Sequence, residues 1–278
     1  MDLSWPFADP STREAAGQAL LLVVVAMTAL WLISLRLQDV SIVDVFWGAG
    51  FGVLAIFYAV TTDGLFARQV LLVSLVVIWG TRLAVHIFRR SLGKPEDPRY
   101  AAWRAANGKS FWWNSYFKVF LLQGCLMWLI AMPLLVGLAS TVPSRLTLLD
   151  LLGAAVWTIG FLFEAIGDLQ LRRFKADPAN QGQVLQSGLW RYTRHPNYFG
   201  DAVVWWGYFL LALAVPGGVW TLFSPLLMTF LLMRVSGVTL LEKGLQESKP
   251  GYAEYVARTS AFFPRRPRSR ISRQPGPV

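Results

Sequence analysis

Along the chain, apolar runs of roughly 18 to 25 residues alternate with short polar connections, and a helix of that length at about 1.5 Å per residue crosses about 30 Å of hydrocarbon. Spans are predicted at about Gly17 to Leu35, Val40 to Thr61, Val70 to Phe88, Trp113 to Ser140, Thr147 to Gly167, Tyr198 to Val215 and Val219 to Leu241. Pro216-Gly217-Gly218 supplies a tight turn between the last two. The pattern predicts an all-α membrane protein with about seven transmembrane helices. Residues 1–16 form a short N-terminal segment without the basic region or cleavage site of a signal peptide, so the first apolar run reads as a retained helix. Residues 17–263 form one multi-helix domain, and 264–278, rich in Arg, Pro and Ser, form a basic tail expected to be disordered.

Composition sharpens this picture. Hydrophobic residues make up 55% of the 278 and charged residues only 15%, so most of the surface is expected to face membrane lipid. The net charge of +10 does not imply nucleic acid, because the basic residues lie between apolar runs rather than on one soluble face. Their distribution instead sets orientation. Six Lys and Arg fall in Arg89 to Lys109, five in Arg172 to Arg194 and eight after Leu241, whereas Arg68 and Arg145 are the only ones assigned to opposite-side connections. The amino terminus is therefore expected outside and the carboxyl terminus in the cytoplasm. The lone cysteine, Cys125, offers neither a disulfide framework nor a metal pair and is expected to be a small buried hydrophobe. No metal site is expected.

Ionisable groups within spans are functional candidates because each costs several kcal/mol unless paired or solvated. They are Asp44, Arg82, His86, Lys118, Glu164, Asp168, Asp201 and Arg234. Most fall within about two turns of the expected cytoplasmic ends, which implies a polar cavity open to that side. Glu164, Asp168 and Arg172 share a helical face, as do Arg82 with His86 and Asn197 with Asp201. The densest polar segment runs from Gly188 to Asp201 and contains Arg191, Tyr192, Arg194, His195, Pro196, Asn197 and Tyr198. Pro196 suits a first helical turn, and the amides of that turn between Arg191 and Arg194 make an anion site fit for phosphate. Asn197 and Asp201 are then expected to face inward and bind neutral donors such as an amide or ribose hydroxyls. A Pro-capped helix with basic anchors accounts for Pro196 and the arginines but not for Asn197 and Asp201.

The segment resembles the Arg-His-Pro-Asn-Tyr-x-Gly-Asp signature of membrane sterol reductases and the steroid 5α-reductase group, which use NADPH. It also resembles the Arg-His-Pro-x-Tyr-x-Gly element of isoprenylcysteine carboxyl methyltransferases, which use S-adenosylmethionine. Ser41-Ile42-Val43-Asp44-Val45-Phe46-Trp47-Gly48, Trp79-Gly80-Thr81-Arg82-Leu83, Glu96-Asp97-Pro98-Arg99-Tyr100, Lys249-Pro250-Gly251-Tyr252 and Arg258-Thr259-Ser260-Ala261-Phe262-Phe263-Pro264 are similar to the bacterial branch of the steroid 5α-reductase superfamily. The resemblance runs from about Val40 to Pro264. It implies a nucleotide site on Asp168, Arg172, Lys175, Asn197, Tyr198, Asp201 and Arg234, within a cofactor-binding part from about 147 to 263. It also implies a substrate end with a carboxylate on the second helix and a tyrosine on the third. Here Asp44 is the nearest carboxylate, and His86 stands about where that tyrosine would be.

The expected chemistry is NADPH-dependent reduction of an enone double bond in a lipid-soluble, steroid-like substrate. His86, oriented by Asp44, is the first candidate for the carbonyl donor and Tyr100 the second. Glu164, Tyr192, Arg194 and His195 complete the expected cofactor-binding set. The alternative is a methyltransferase of the isoprenylcysteine class, disfavoured because Arg172, Lys175, Arg194 and Arg234 suit a phosphorylated cofactor. A transporter would call for broken helices at mid-membrane or inverted repeats. A monomer in a bacterial inner membrane, with its site facing the cytoplasm, is expected.

Overall fold

The computed structural model describes residues 5–235, 242 and 249–268. Among them the regular structure is helical, joined by one isolated bridge between Thr193 and Ser260. The helices are α1 (Pro10–Leu37), α2 (Ile42–Thr61), α3 (Phe66–Ser91), α4 (Pro98–Asn107), α5 (Phe111–Ser115), α6 (Leu122–Ile130), α7 (Met132–Ala139), α8 (Leu148–Ala176), α9 (Pro196–Leu213), α10 (Phe223–Phe230) and α11 (Tyr252–Arg258). Single π-helical turns at Tyr116–Leu121 and Leu231–Val235 follow α5 and α10.

Six segments are long and apolar enough to cross a bilayer: Pro10–Leu37, Ile42–Thr61, Phe66–Ser91, Pro98–Ala139, Leu148–Ala176 and Gly218–Val235. The chain is thus a multi-pass membrane protein. The remaining predicted span, Tyr198 to Val215, is helical as α9, but Asn197, Tyr198 and Asp201 in its first turns keep it out of that apolar class. Residues 236–241, the end of the last predicted span, lie outside the described residues. Helix α1 starts earlier than Gly17, because Asp9 accepts from the Thr12 amide at 2.9 Å and Pro10 occupies the first helical position.

The chain divides into two compact units, Met1–Ala154 with Tyr208–Ser224, and Ala155–Gly207 with Pro225–Val278. In the first, α2 and α3 are joined by a short turn and run antiparallel. They touch at backbone distance, since a Cβ on Gly48 would stand 2.6 Å from the Gly80 carbonyl oxygen. Around that contact Phe51, Leu54 and Tyr58 of α2 and Leu72, Val76 and Trp79 of α3 are wholly buried. Two sequence readings need correction here. Arg68 is not a loop cation: helix α3 begins before it, and its buried guanidinium donates to Asp150 from Nε at 2.7 Å and from Nη2 at 3.1 Å. Asp150 also accepts from the Thr147 amide and hydroxyl at 2.7 and 2.9 Å, so a buried charge is matched by a fully engaged carboxylate. Cys125 is exposed on the outward side of α6 rather than buried, as a soft apolar side chain facing lipid can be.

In the second unit the 155–176 part of α8 meets the 196–207 part of α9 through glycines. A Cβ on Gly160 would stand 2.6 Å from the Val204 amide nitrogen and 2.7 Å from the Gly200 oxygen. Small residues let membrane helices approach this closely. Gly160→Ala should therefore force the helices apart and lower stability by about 1–3 kcal/mol. A thermal midpoint in detergent unchanged from wild type would refute the close crossing.

Residues 264–268, expected as part of a disordered tail, are pinned instead. The Arg265 amide donates to the Tyr192 oxygen at 2.9 Å, the Arg194 amide to the Ser260 oxygen at 2.9 Å, and the Thr193 hydroxyl to the Phe262 oxygen at 2.8 Å. The irregular stretch before α9 leaves backbone groups to satisfy, and this C-terminal strap satisfies them. Residues 269–278, the rest of the expected tail, lie outside the described residues.

Candidate active site

In the first unit the polar residues collect where α2 begins and α3 ends. Asp44 lies in the first turn of α2. Because Gly48 faces Gly80 across an antiparallel pair, Asp44 falls near the level of His86, which is half-buried on α3. Helix α4 folds in over this end. Asp97 caps it by accepting from the Arg99 amide at 3.0 Å. Glu96 ties it down, accepting from Arg104 at 2.8 and 2.9 Å and from the Val40 amide at 2.8 Å. Burial works against the charged form of Glu96, but the Arg104 and Val40 hydrogen bonds prevail and hold its carboxyl below the usual range.

That clamp sets Tyr100 against Asp44. The phenol donates to one carboxylate oxygen at 3.0 Å, and Arg99 donates to the other at 3.2 Å. Gln123, from α6, donates to the Tyr100 oxygen at 3.3 Å. The sequence reading paired Asp44 with His86; the structure shows Asp44 bonded to Tyr100 and Arg99. Gln123 was missed, although a lone amide inside an apolar run is a signal of the same kind as an intramembrane charge.

In the second unit Glu164 and Asp168 of α8 and Asp201 of α9 are buried. The close crossing brings Asn197 to Asp168, and its Nδ2 donates to Oδ1 at 3.1 Å. The Asn197 Oδ1 is buried and has no hydrogen-bond partner among the described residues. Arg172, Lys175 and Arg234 are exposed, and Tyr198 stacks on His195 with centroids 5.6 Å apart.

Arg194, read from the sequence as flanking an anion site, is buried with its donors engaged. Nε and Nη2 donate to Glu242 at 2.7 and 3.1 Å, and Nη1 donates to the Val256 and Thr259 oxygens. His195 Nε2 lies 3.2 Å from the same carboxylate. Glu242 was not foreseen, yet a buried arginine requires a carboxylate, and Glu242 directly follows the last apolar run. Burial opposes its ionisation, but hydrogen bonds from His195 and Arg194 prevail and hold the carboxyl at about 2, below its ordinary 4.5. A depressed folded-state value stabilises the fold above the ordinary value and ceases to do so as pH falls toward the folded one. Amide-exchange protection of α11 should therefore hold from neutral pH to about pH 4.5 and decline below it, and Glu242→Gln should lack that decline. A decline of equal size in Glu242→Gln would assign it to other groups.

A family model described as "Protein of unknown function (DUF1295)" matches residues 30–259, and the chain belongs to this family. An uncharacterized protein of Schizosaccharomyces pombe is 24% identical over 88% of this chain and 78% of its own length. The bovine and mouse proteins named 3-oxo-5-alpha-steroid 4-dehydrogenase 1 are 32% and 31% identical over 74 residues, 27% of this chain. Each of those matches spans only 29% of the mammalian protein. No solved structure matches the chain.

Proposed function

We propose that this DUF1295 member is an NADPH-dependent membrane reductase that saturates the carbon–carbon double bond of an enone in a lipid-soluble substrate, with a 3-oxo-4-ene steroid as the model compound. The observation that carries this reading is the phenol of Tyr100 bonded to Asp44 and backed by Gln123. Reduction at the β carbon of an enone drives negative charge onto the carbonyl oxygen, and a positioned donor stabilises that charge as it forms. On substrate binding Tyr100 turns its single hydrogen from Asp44 to that oxygen, while Gln123 keeps its bond to the phenol oxygen. His86, near the same level on α3, is the alternative donor.

NADPH, when bound, supplies the hydride. Asn197 fits such a group, because its buried Oδ1, without a hydrogen-bond partner among the described residues, is an acceptor suited to a donor such as a carboxamide or ribose hydroxyl. Asp168 orients the Asn197 amide, and Asp201 adds a second carboxylate on the same face of α9. Arg172, Lys175, Tyr198 and Arg234 complete the nucleotide contacts that the family resemblance implies. Glu164, Arg194 and His195 belong to the same cofactor-binding part in this reading, Arg194 and His195 through their contacts with Glu242. In this reading the enzyme acts as a monomer in a bacterial inner membrane, amino terminus outside, with its site open to the cytoplasm. Titration calorimetry on the detergent-solubilised chain should show binding of NADPH and none of S-adenosylmethionine. The reverse preference would replace the reductase with a methyltransferase.

A further inference from the structure

Two adjoining clefts of about 360 and 340 Å³ lie in the second unit and share Arg191, Arg258 and Pro267 in their walls. The first is completed by Tyr192, Arg266 and Arg268. Its size falls in the range of small-ligand sites, about 300–1,000 Å³, but four of its six lining residues are arginines. The walls are fixed by backbone hydrogen bonds, from the Arg268 amide to the Arg258 oxygen at 3.0 Å and from the Arg265 amide to the Tyr192 oxygen at 2.9 Å.

Four guanidiniums around one cleft repel one another, and arginine cannot escape by losing its proton. Among the described residues the one carboxylate recorded against any of them is Glu254, 3.7 Å from Arg258 and half-exposed, a weak partner. The Nε of Arg258 is buried and has no hydrogen-bond partner among the described residues. A dianionic or diester phosphate answers both deficits, because its oxygens accept from guanidinium forks in pairs. We propose that this cleft binds a phosphate group, carried by an anionic lipid headgroup or by a soluble phosphate. The cleft shares Arg191 and Tyr192 with the segment expected to hold the cofactor but contains none of the carboxylates or amides assigned to the reaction.

The test uses the full chain in an uncharged detergent. Binding of short-chain phosphatidylglycerol and of inorganic pyrophosphate is measured by calorimetry at fixed ionic strength for wild type and for the triple variant Arg191→Gln, Arg266→Gln, Arg268→Gln. All three side chains are exposed, and the ligand-free variant should keep the wild-type thermal midpoint. At least one probe should bind wild type and lose about tenfold or more in the variant, the scale of one or more charge-assisted hydrogen bonds. Loss confined to the lipid assigns a headgroup site, and loss confined to pyrophosphate assigns a soluble phosphate. The corresponding triple Lys variant, which keeps the charge, should recover most of the binding. Equal affinity of wild type and Gln variant for both probes, or binding of neither probe by wild type, would overturn the proposal.

Discussion

Tyr100→Phe should slow enone reduction by about 10²- to 10³-fold while NADPH affinity stays at the wild-type value, the effect of deleting one donor aimed at a developing oxyanion. A donor that acts only as charge develops affects the rate and not ground-state binding, so the loss belongs in kcat. The packing of the ring is retained, because only the hydroxyl that bonds Asp44 and Gln123 is removed. Asp44→Asn should give a smaller loss, since an amide still orients the phenol but no longer carries the charge. His86→Ala separates the two donor assignments. Near-wild-type turnover in His86→Ala beside a failing Tyr100→Phe places the proton on Tyr100. Loss in His86→Ala with full activity in Tyr100→Phe would return it to His86.

Asn197→Ala should weaken NADPH binding by about 1–3 kcal/mol for each buried hydrogen bond lost, roughly tenfold to a hundredfold in Kd. Asp201→Ala should act in the same direction. Calorimetric Kd values, with a thermal midpoint and elution volume matching wild type, check both. Unchanged affinity in Asn197→Ala would mean that the residue only braces Asp168 across the α8–α9 crossing.

The helices were legible because lipid demands long apolar runs, and six of the predicted spans recur among the segments able to cross a bilayer. The helical faces were legible too: the i, i+4 spacing groups Glu164 with Asp168 and Asn197 with Asp201, and Glu164, Asp168 and Asp201 are buried with Asn197 half-buried beside them. Tertiary partnership was not. Arg68 looked like a loop cation because nothing local announces Asp150, which is 82 positions away. Arg194 looked available to an anion for the same reason, its carboxylate lying 48 positions on. Tyr100 needed a loop helix to fold back over α2, and the capping sequence Asp97-Pro98 announces that helix without saying where it docks.

Hydride transfer to an enone leaves an isotopic signature in the product. The most direct measurement incubates the purified chain with NADPH deuterated at the transferring position and a 3-oxo-4-ene steroid, then locates the label by mass spectrometry and NMR. The expected product is a saturated ketone bearing the cofactor's deuterium on the former β carbon. Recovery of unreduced steroid with the cofactor's label intact, while the same preparation methylates an acceptor from S-adenosylmethionine, would contradict it.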